Sequence, residues 1–156
     1  MSIDPGLGGT GWAMWKDENL IASSSIKPKG KPGCPWEERA RLIIVALSNI
    51  VKDHKPDRSF IEQPFIALDG GRAEISAKRQ DVVKLSILNG MITQALPNCY
   101  QVRVIDWKGQ LPKDVFKRRI MKYLGEVGYR PTTETSHELD AIGIGRYITM
   151  KAMEIV

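Results

Sequence analysis

The stretch that most constrains the fold is the first fifteen residues, MSIDPGLGGTGWAMW. A short apolar lead-in ends on Asp4, the chain reverses through Pro5, Gly6, Gly8 and Gly9, and Thr10-Gly11-Trp12-Ala13-Met14-Trp15 runs back out. Strand, tight turn, strand is the reading these residues favour: proline presets φ, and glycine lets the backbone reverse and approach another group closely. An acid therefore stands at the end of a strand beside a turn with little side-chain bulk. An isolated Asp-Pro-Gly also serves a hairpin whose Asp only caps the turn. Function then depends on which other acids reach the same place.

Residues 11–16 and 20–26 read as strands joined by the polar turn Asp17-Glu18-Asn19, completing an antiparallel meander with the lead-in. Residues 27–35 have loop composition, and 36–52 follow helical spacing through Ala40, Ile43, Ile44, Leu47, Ile50 and Val51 until Pro56. Residues 58–62 form a short strand ended by Pro64, which cannot donate a ladder hydrogen bond. After a loop at 65–72, residues 73–96 are helical. Val82, Val83, Leu85, Ile87, Leu88, Ile92 and Leu96 give that helix more apolar face than a surface helix requires, which predicts that it is largely buried. Alternation predicts a strand over 100–106, then a basic amphipathic helix over 111–124, a loop over 125–135 and a last helix over 136–155. The order βββ-α-β-α-β-α-α predicts one α/β domain over 1–156, in which a meander joins parallel strands fed by crossover helices.

Strands joined by a crossover helix run parallel, so the strand ends at Asp4 and Glu62 can lie side by side. The last helix opens S-H-E-L-D-A, which puts His137 and Asp140 at i and i+3 on one face. Crowded carboxylates repel and raise each other's pKa, and a hard divalent cation is the usual remedy. Two ions about 3.5–4 Å apart sharing one carboxylate suit in-line attack on a phosphodiester. Taken singly, each residue has a plainer explanation: Asp4 a turn residue, Glu62 a solvated strand end, His137 a surface side chain. Their conjunction points to a site. Thr135-x-x-Glu138 fits a capping box, which assigns Glu138 to the backbone N–H of its own cap.

The net charge of +5 suggests a polyanionic partner, and its distribution says more. Lys113, Lys117, Arg118, Arg119 and Lys122 face the single acid Asp114 in one ten-residue stretch, and Lys27, Lys29 and Lys31 crowd a Pro/Gly-rich connector. No apolar run reaches the ~20 residues of a membrane span, and the first residues lack the basic start and apolar centre of a signal peptide. A cytoplasmic location without a membrane partner is expected. Cys34 and Cys99 share no C-x-x-C or nearby His pair, so both are expected to be reduced and to bind no zinc.

IDPG followed by TG, IEQPF after a helix, VIDWKGQLPK leading into a basic helix, and SHELDAIGIG occur in that order along nearly the whole chain. Together they resemble the RuvC-type Holliday junction resolvases of the ribonuclease H-like superfamily. The resemblance implies a five-stranded mixed sheet in the order 3-2-1-4-5 flanked by helices. It implies a homodimeric crossover junction endodeoxyribonuclease that cuts a four-way junction or other branched DNA symmetrically, with two Mg2+ or Mn2+ ions per active site. Asp4 would bridge both metals, Glu62 would bind one, and His137 with Asp140 would hold the other. Phe65 is similar to the family aromatic that stacks on unpaired bases near the crossover.

Lys108, Lys113, Lys117, Arg118 and Lys122 are expected along the opening of the site, with Arg72, Lys78 and Arg79 beside the glycine-rich segment 65–73. That segment is longer than the usual bacterial form and is expected to touch DNA. Phosphate contacts of this kind fix position and carry no sequence information. If six phosphates are neutralised, log K falls with log salt at a slope of about −5. Competing readings are cleavage of flaps, branches or RNA–DNA hybrids, and a junction-binding protein of the same fold that does not cleave. An actin-like phosphotransferase would need two related lobes, more than 156 residues supply.

Overall fold

The computed structural model describes residues 1–29, 33–65, 72–96 and 98–154, with backbone alone over 72–78 and 153–154. Three strands come first: β1 (Ser2–Asp4), β2 (Thr10–Lys16) and β3 (Asn19–Ile26). Helix α1 (Trp36–His54) leads to β4 (Ser59–Glu62), and α2 (Arg72–Ala95) leads to β5 (Cys99–Val102). Three helices follow: α3 (Val104–Trp107), α4 (Lys113–Glu126) and α5 (Ser136–Glu154). The sheet order is β3-β2-β1-β4-β5, as the resemblance implies. β1 is antiparallel to β2, with Asp4 opposite Gly11, and parallel to β4, with Ile3 opposite Ile61. β5 continues the parallel half, with Glu62 opposite Val102.

Strand alternation sends successive side chains to opposite faces, and each face builds its own core. Ile3 and Ile61 are fully buried with Ile43, Leu47, Leu88 and Ile92, under α1 and α2. On the other face Ala13 and Val102 pack with Trp107, Phe116, Ile120, Leu139, Ile142 and Ile144, under α3, α4 and α5. Asp4 is one residue from Ile3, so it faces α5. The short first strand is pinned there: Ser2 Oγ donates to Ala141 O at 2.7 Å and accepts from Trp15 Nε1 at 3.1 Å.

α5 lies unusually close to β2, and glycine makes this possible. A Cβ on Gly11 would stand 1.8 Å from His137 O, and one on Gly145 would stand 1.9 Å from Trp15 Nε1.

Two expectations are corrected. The strand predicted over 100–106 ends at Val102, and α3 takes the remainder. Arg103, extended at φ −75° and ψ 142°, precedes that turn of helix and clasps Asp106 through two hydrogen bonds of 2.8 Å. The helix predicted over 73–96 is not buried all round. Leu88, Ile92 and Leu96 enter the core, while Val83 and Ile87 are 58% and 44% exposed. A helix in an outer layer offers only one stripe to the sheet, so its second apolar stripe faces outward.

Candidate active site

β1 and β4 end together, so their parallel pairing delivers Asp4 and Glu62 to the same edge of the sheet. The backbone at Glu62 is fixed from behind by buried Asn89 of α2. Asn89 Nδ2 donates to Glu62 O at 2.8 Å, and Asn89 Oδ1 accepts from Gln101 Nε2 at 2.6 Å. α5 begins over this edge and brings in His137 and Asp140. His137 Nδ1 lies 2.5 Å from Asp4 Oδ2. The turn after β1 forms the imidazole's seat: a Cβ on Gly6 would stand 2.9 Å from His137 Cε1, and one on Gly9 would stand 3.4 Å from Cδ2. The glycines of the opening stretch thus make room for a side chain of the site itself.

The electrostatics are those of crowded acids. Glu62 is pushed up to about 8, first by burial and then by the neighbouring Asp4 and Asp140 carboxylates. Asp4 is raised mainly by burial, against the hydrogen bond from His137. His137 is raised in turn by its bond to Asp4. Trp107 is buried, and its Nε1 has no hydrogen-bond partner among the described residues. It lies near enough to Glu62 to ease that carboxyl slightly downward without reaching full hydrogen-bond geometry. Asp140 already carries a cation, Lys108 Nζ, at 3.1 Å.

The donors fit a hard divalent metal: three carboxylates and an imidazole, with repulsion among the acids that a cation relieves. Among the described residues no three such side chains are already gathered at metal-binding distance. His137 on Asp4 and Lys108 on Asp140 hold two of the acids instead.

The expected DNA contacts are placed unevenly. Phe65 is 70% exposed and borders a cavity of about 600 Å³ with Gln63, Pro64, Val104 and Ile105. Lys113 and Lys117 are exposed on α4, and Lys113 is close enough to His137 to act on its charge. Arg118 and Lys122 are exposed but paired along the helix with Asp114 and Glu126, at 3.2 and 3.8 Å. Arg79 is exposed on α2. Lys108 is turned inward to Asp140. The side chains of Arg72 and Lys78, with segment 66–71, lie outside the described residues.

Glu138 was underread from sequence. Thr135 Oγ1 does accept the Glu138 N–H at 3.2 Å, as a capping box requires. The carboxylate, fully buried, goes elsewhere: it accepts from the N–H groups of Thr132, Thr133 and Glu134, from Thr133 Oγ1 and from Ser23 Oγ, at 2.6–2.8 Å. It ties the loop before α5 to β3 from the position next to His137. The polar run Thr132-Thr133-Glu134-Thr135 was the available signal. Trp107 and Asn89 had no signal beyond ordinary core and helix-surface patterns.

No family model matches the chain. Curated relatives named crossover junction endodeoxyribonuclease RuvC do match it. The Bradyrhizobium diazoefficiens protein is 34% identical over 74 residues, covering 45% of this chain and 41% of that protein. The Afipia carboxidovorans protein is 28% identical over 109 residues, covering 67% and 64%. The chain thus spans less than two thirds of these two relatives. The Ralstonia nicotianae protein is 24% identical over 149 residues, covering 92% and 79%. Among solved structures, T. thermophilus RuvC in complex with a Holliday junction substrate superposes with a TM-score of 0.67 at 18% identity, over 98% of this chain and 94% of that one. Another T. thermophilus RuvC structure gives a TM-score of 0.59 at 17% identity, over 98% and 95%. In sequence the chain is thus similar to proteins named crossover junction endodeoxyribonuclease RuvC, and it shares the fold of the T. thermophilus RuvC structures.

Proposed function

We propose that this protein is a metal-dependent endonuclease that resolves four-way DNA junctions by hydrolysing phosphodiester bonds in opposed strands. One observation carries the reading: β1, β4 and α5 bring three carboxylates and an imidazole to one sheet edge, in a fold shared with T. thermophilus RuvC. Asp4 would be shared by two Mg2+ or Mn2+ ions, with Glu62 on one and His137 and Asp140 on the other. When bound, the ions supply an activated water and a counter-charge for the leaving oxygen.

The chain's own residues prepare that state. Asp4 holds His137 in place, and Asn89 and the β4–β5 ladder fix the strand end at Glu62. Lys113, Lys117, Arg119 and their neighbours on α4 would hold phosphates beside the edge, and Phe65 would stack on an unpaired base at the junction. The protein would act as a single nuclease domain in a homodimer, in the cytoplasm where its DNA is.

Replacing one acid tests the site. Asp4→Asn or Asp140→Asn is expected to abolish cleavage of a labelled four-way junction in Mg2+ or Mn2+, while binding of that junction survives. Undiminished cleavage by either variant would overturn the assignment. Running wild type on three-way, flap and RNA–DNA hybrid substrates beside the junction separates resolution from trimming or hybrid cleavage.

A further inference from the structure

Two of the three acids at the sheet edge meet a resident partner, Asp4 through His137 and Asp140 through Lys108, and the second is the unexpected one. Lys108 Nζ lies 3.1 Å from Asp140 Oδ1, with only 16% and 19% of the two side chains exposed. The ammonium is also caged. It lies 4.7 Å from the Phe116 ring centroid and 5.2 Å from that of Trp107, and these rings meet edge to face. The rings press on α5 at Gly143, where a Cβ would stand 2.4 Å from Phe116 Cζ and 2.9 Å from Trp107 Cζ3. Lys108 closes the short helix α3, its N–H donating to Val104 O at 2.9 Å, so its backbone is anchored.

Lys113 and Lys117 stand in solvent on α4. Lys108 has been packed against a carboxylate of the candidate metal site.

We propose that Lys108 is a built-in counter-cation for Asp140, which occupies that carboxylate in the metal-free protein and competes with the metal for it. The proposal rests on the reading of this edge as a metal centre. Its physical basis is charge: a site with several carboxylates at one edge folds at a cost unless positive charge is present. An ammonium on an unbranched stem meets that need and can still withdraw when a divalent ion arrives. Lys108 is thus a positioning residue that sets how tightly, and with what competition, the site takes its ion.

The test is direct Mn2+ binding, followed by the electron paramagnetic resonance signal of the free ion, without DNA or turnover. Lys108→Met keeps the stem across Trp107 and Phe116 and deletes the charge. It is expected to bind Mn2+ about tenfold more tightly than wild type, the order expected when one like charge is removed from beside a cation in a partly solvated site. Lys108→Gln should give the same result by independent chemistry, and urea unfolding checks that both variants are folded. In an Asp140→Asn background the gain from Lys108→Met should disappear. Unchanged or weaker binding in the charge-deleted variants, or a gain that persists undiminished without the Asp140 carboxylate, overturns the proposal and leaves the metal site standing. Mn2+ binding that is unaffected by Asp4→Asn would instead overturn the metal-centre reading itself, and the role of Lys108 with it.

Discussion

Glu62 is held in a protonation state that an exposed glutamate never has at neutral pH. Burial, Asp4 and Asp140 raise it from 4.5 to about 8. The unfolded chain releases this proton near its ordinary value, so between the two values the folded state binds a proton that the unfolded state lacks. Stability from this group is therefore present at low pH and is lost as pH rises through that window. His137 and Asp4, both raised, act with the same sign. In chelator-treated protein the melting temperature should fall from about pH 5 to about pH 9. Glu62→Gln should melt with wild type at the acid end and several degrees above it at the alkaline end, at about 2–4 °C per kcal/mol for a chain of this size. Thermal denaturation of both proteins across that range measures the divergence. Parallel curves would mean that Glu62 is not desolvated in solution. Saturating Mn2+ should shrink the wild-type slope, because a bound cation removes the reason for Glu62 to keep its proton.

At the scale of elements, what could be read from sequence was whatever follows from chain connectivity and period. Asp4 and Glu62 were legible because a three-strand meander followed by a crossover helix returns the chain parallel to its first strand, which lets the acids at the two strand ends be neighbours. His137 and Asp140 were legible because a helix repeats every three to four residues. α3 was not, because Tyr100, Val102 and Val104 keep a two-residue alternation into the point where the Arg103–Asp106 pair turns the chain. The outward stripe of α2 was not, since apolar period alone does not say how many neighbours a helix has.

The destination of Glu138 depended on Ser23 of β3, 115 residues away in sequence, information that no local pattern contains. That carboxylate gathers three backbone N–H groups and two hydroxyls around the start of α5. Deleting it leaves the donors facing a buried hole. Glu138→Ala should cost roughly 3 kcal/mol of stability by the scale of buried charged hydrogen bonds. Glu138→Gln, which keeps one accepting oxygen, should cost less. Urea unfolding gives both numbers, and a Glu138→Ala variant as stable as wild type would show that the loop is held by something else.

A four-way junction presents two strands to be cut in step, and this chain brings one acid cluster to one sheet edge. Paired incision therefore asks for two copies, and cyclic dimers bury the same patch from each. The described surface offers a candidate. Val83 and Ile87 stand one turn apart on α2, exposed and bordered by Val82, Ser86 and Arg79, while Leu88 and Ile92 on the same helix serve the core. This stripe belongs to the α1–α2 layer, across the sheet from α5, so two copies joined through it would keep both acid clusters open to DNA. Wild type should scatter light as a dimer at working concentration. Val83→Asp with Ile87→Asp should scatter as a folded monomer, its melting temperature lowered only by the stabilisation that association supplies to wild type, because these side chains already meet water in the single chain. The consequence for chemistry is specific. The monomeric variant should still nick a junction in Mn2+, and on a cruciform plasmid it should yield open circles where wild type yields linear product. A wild-type monomer, or linear product undiminished by the double substitution, would remove α2 as the interface and leave the coupling of the two cuts to the DNA itself.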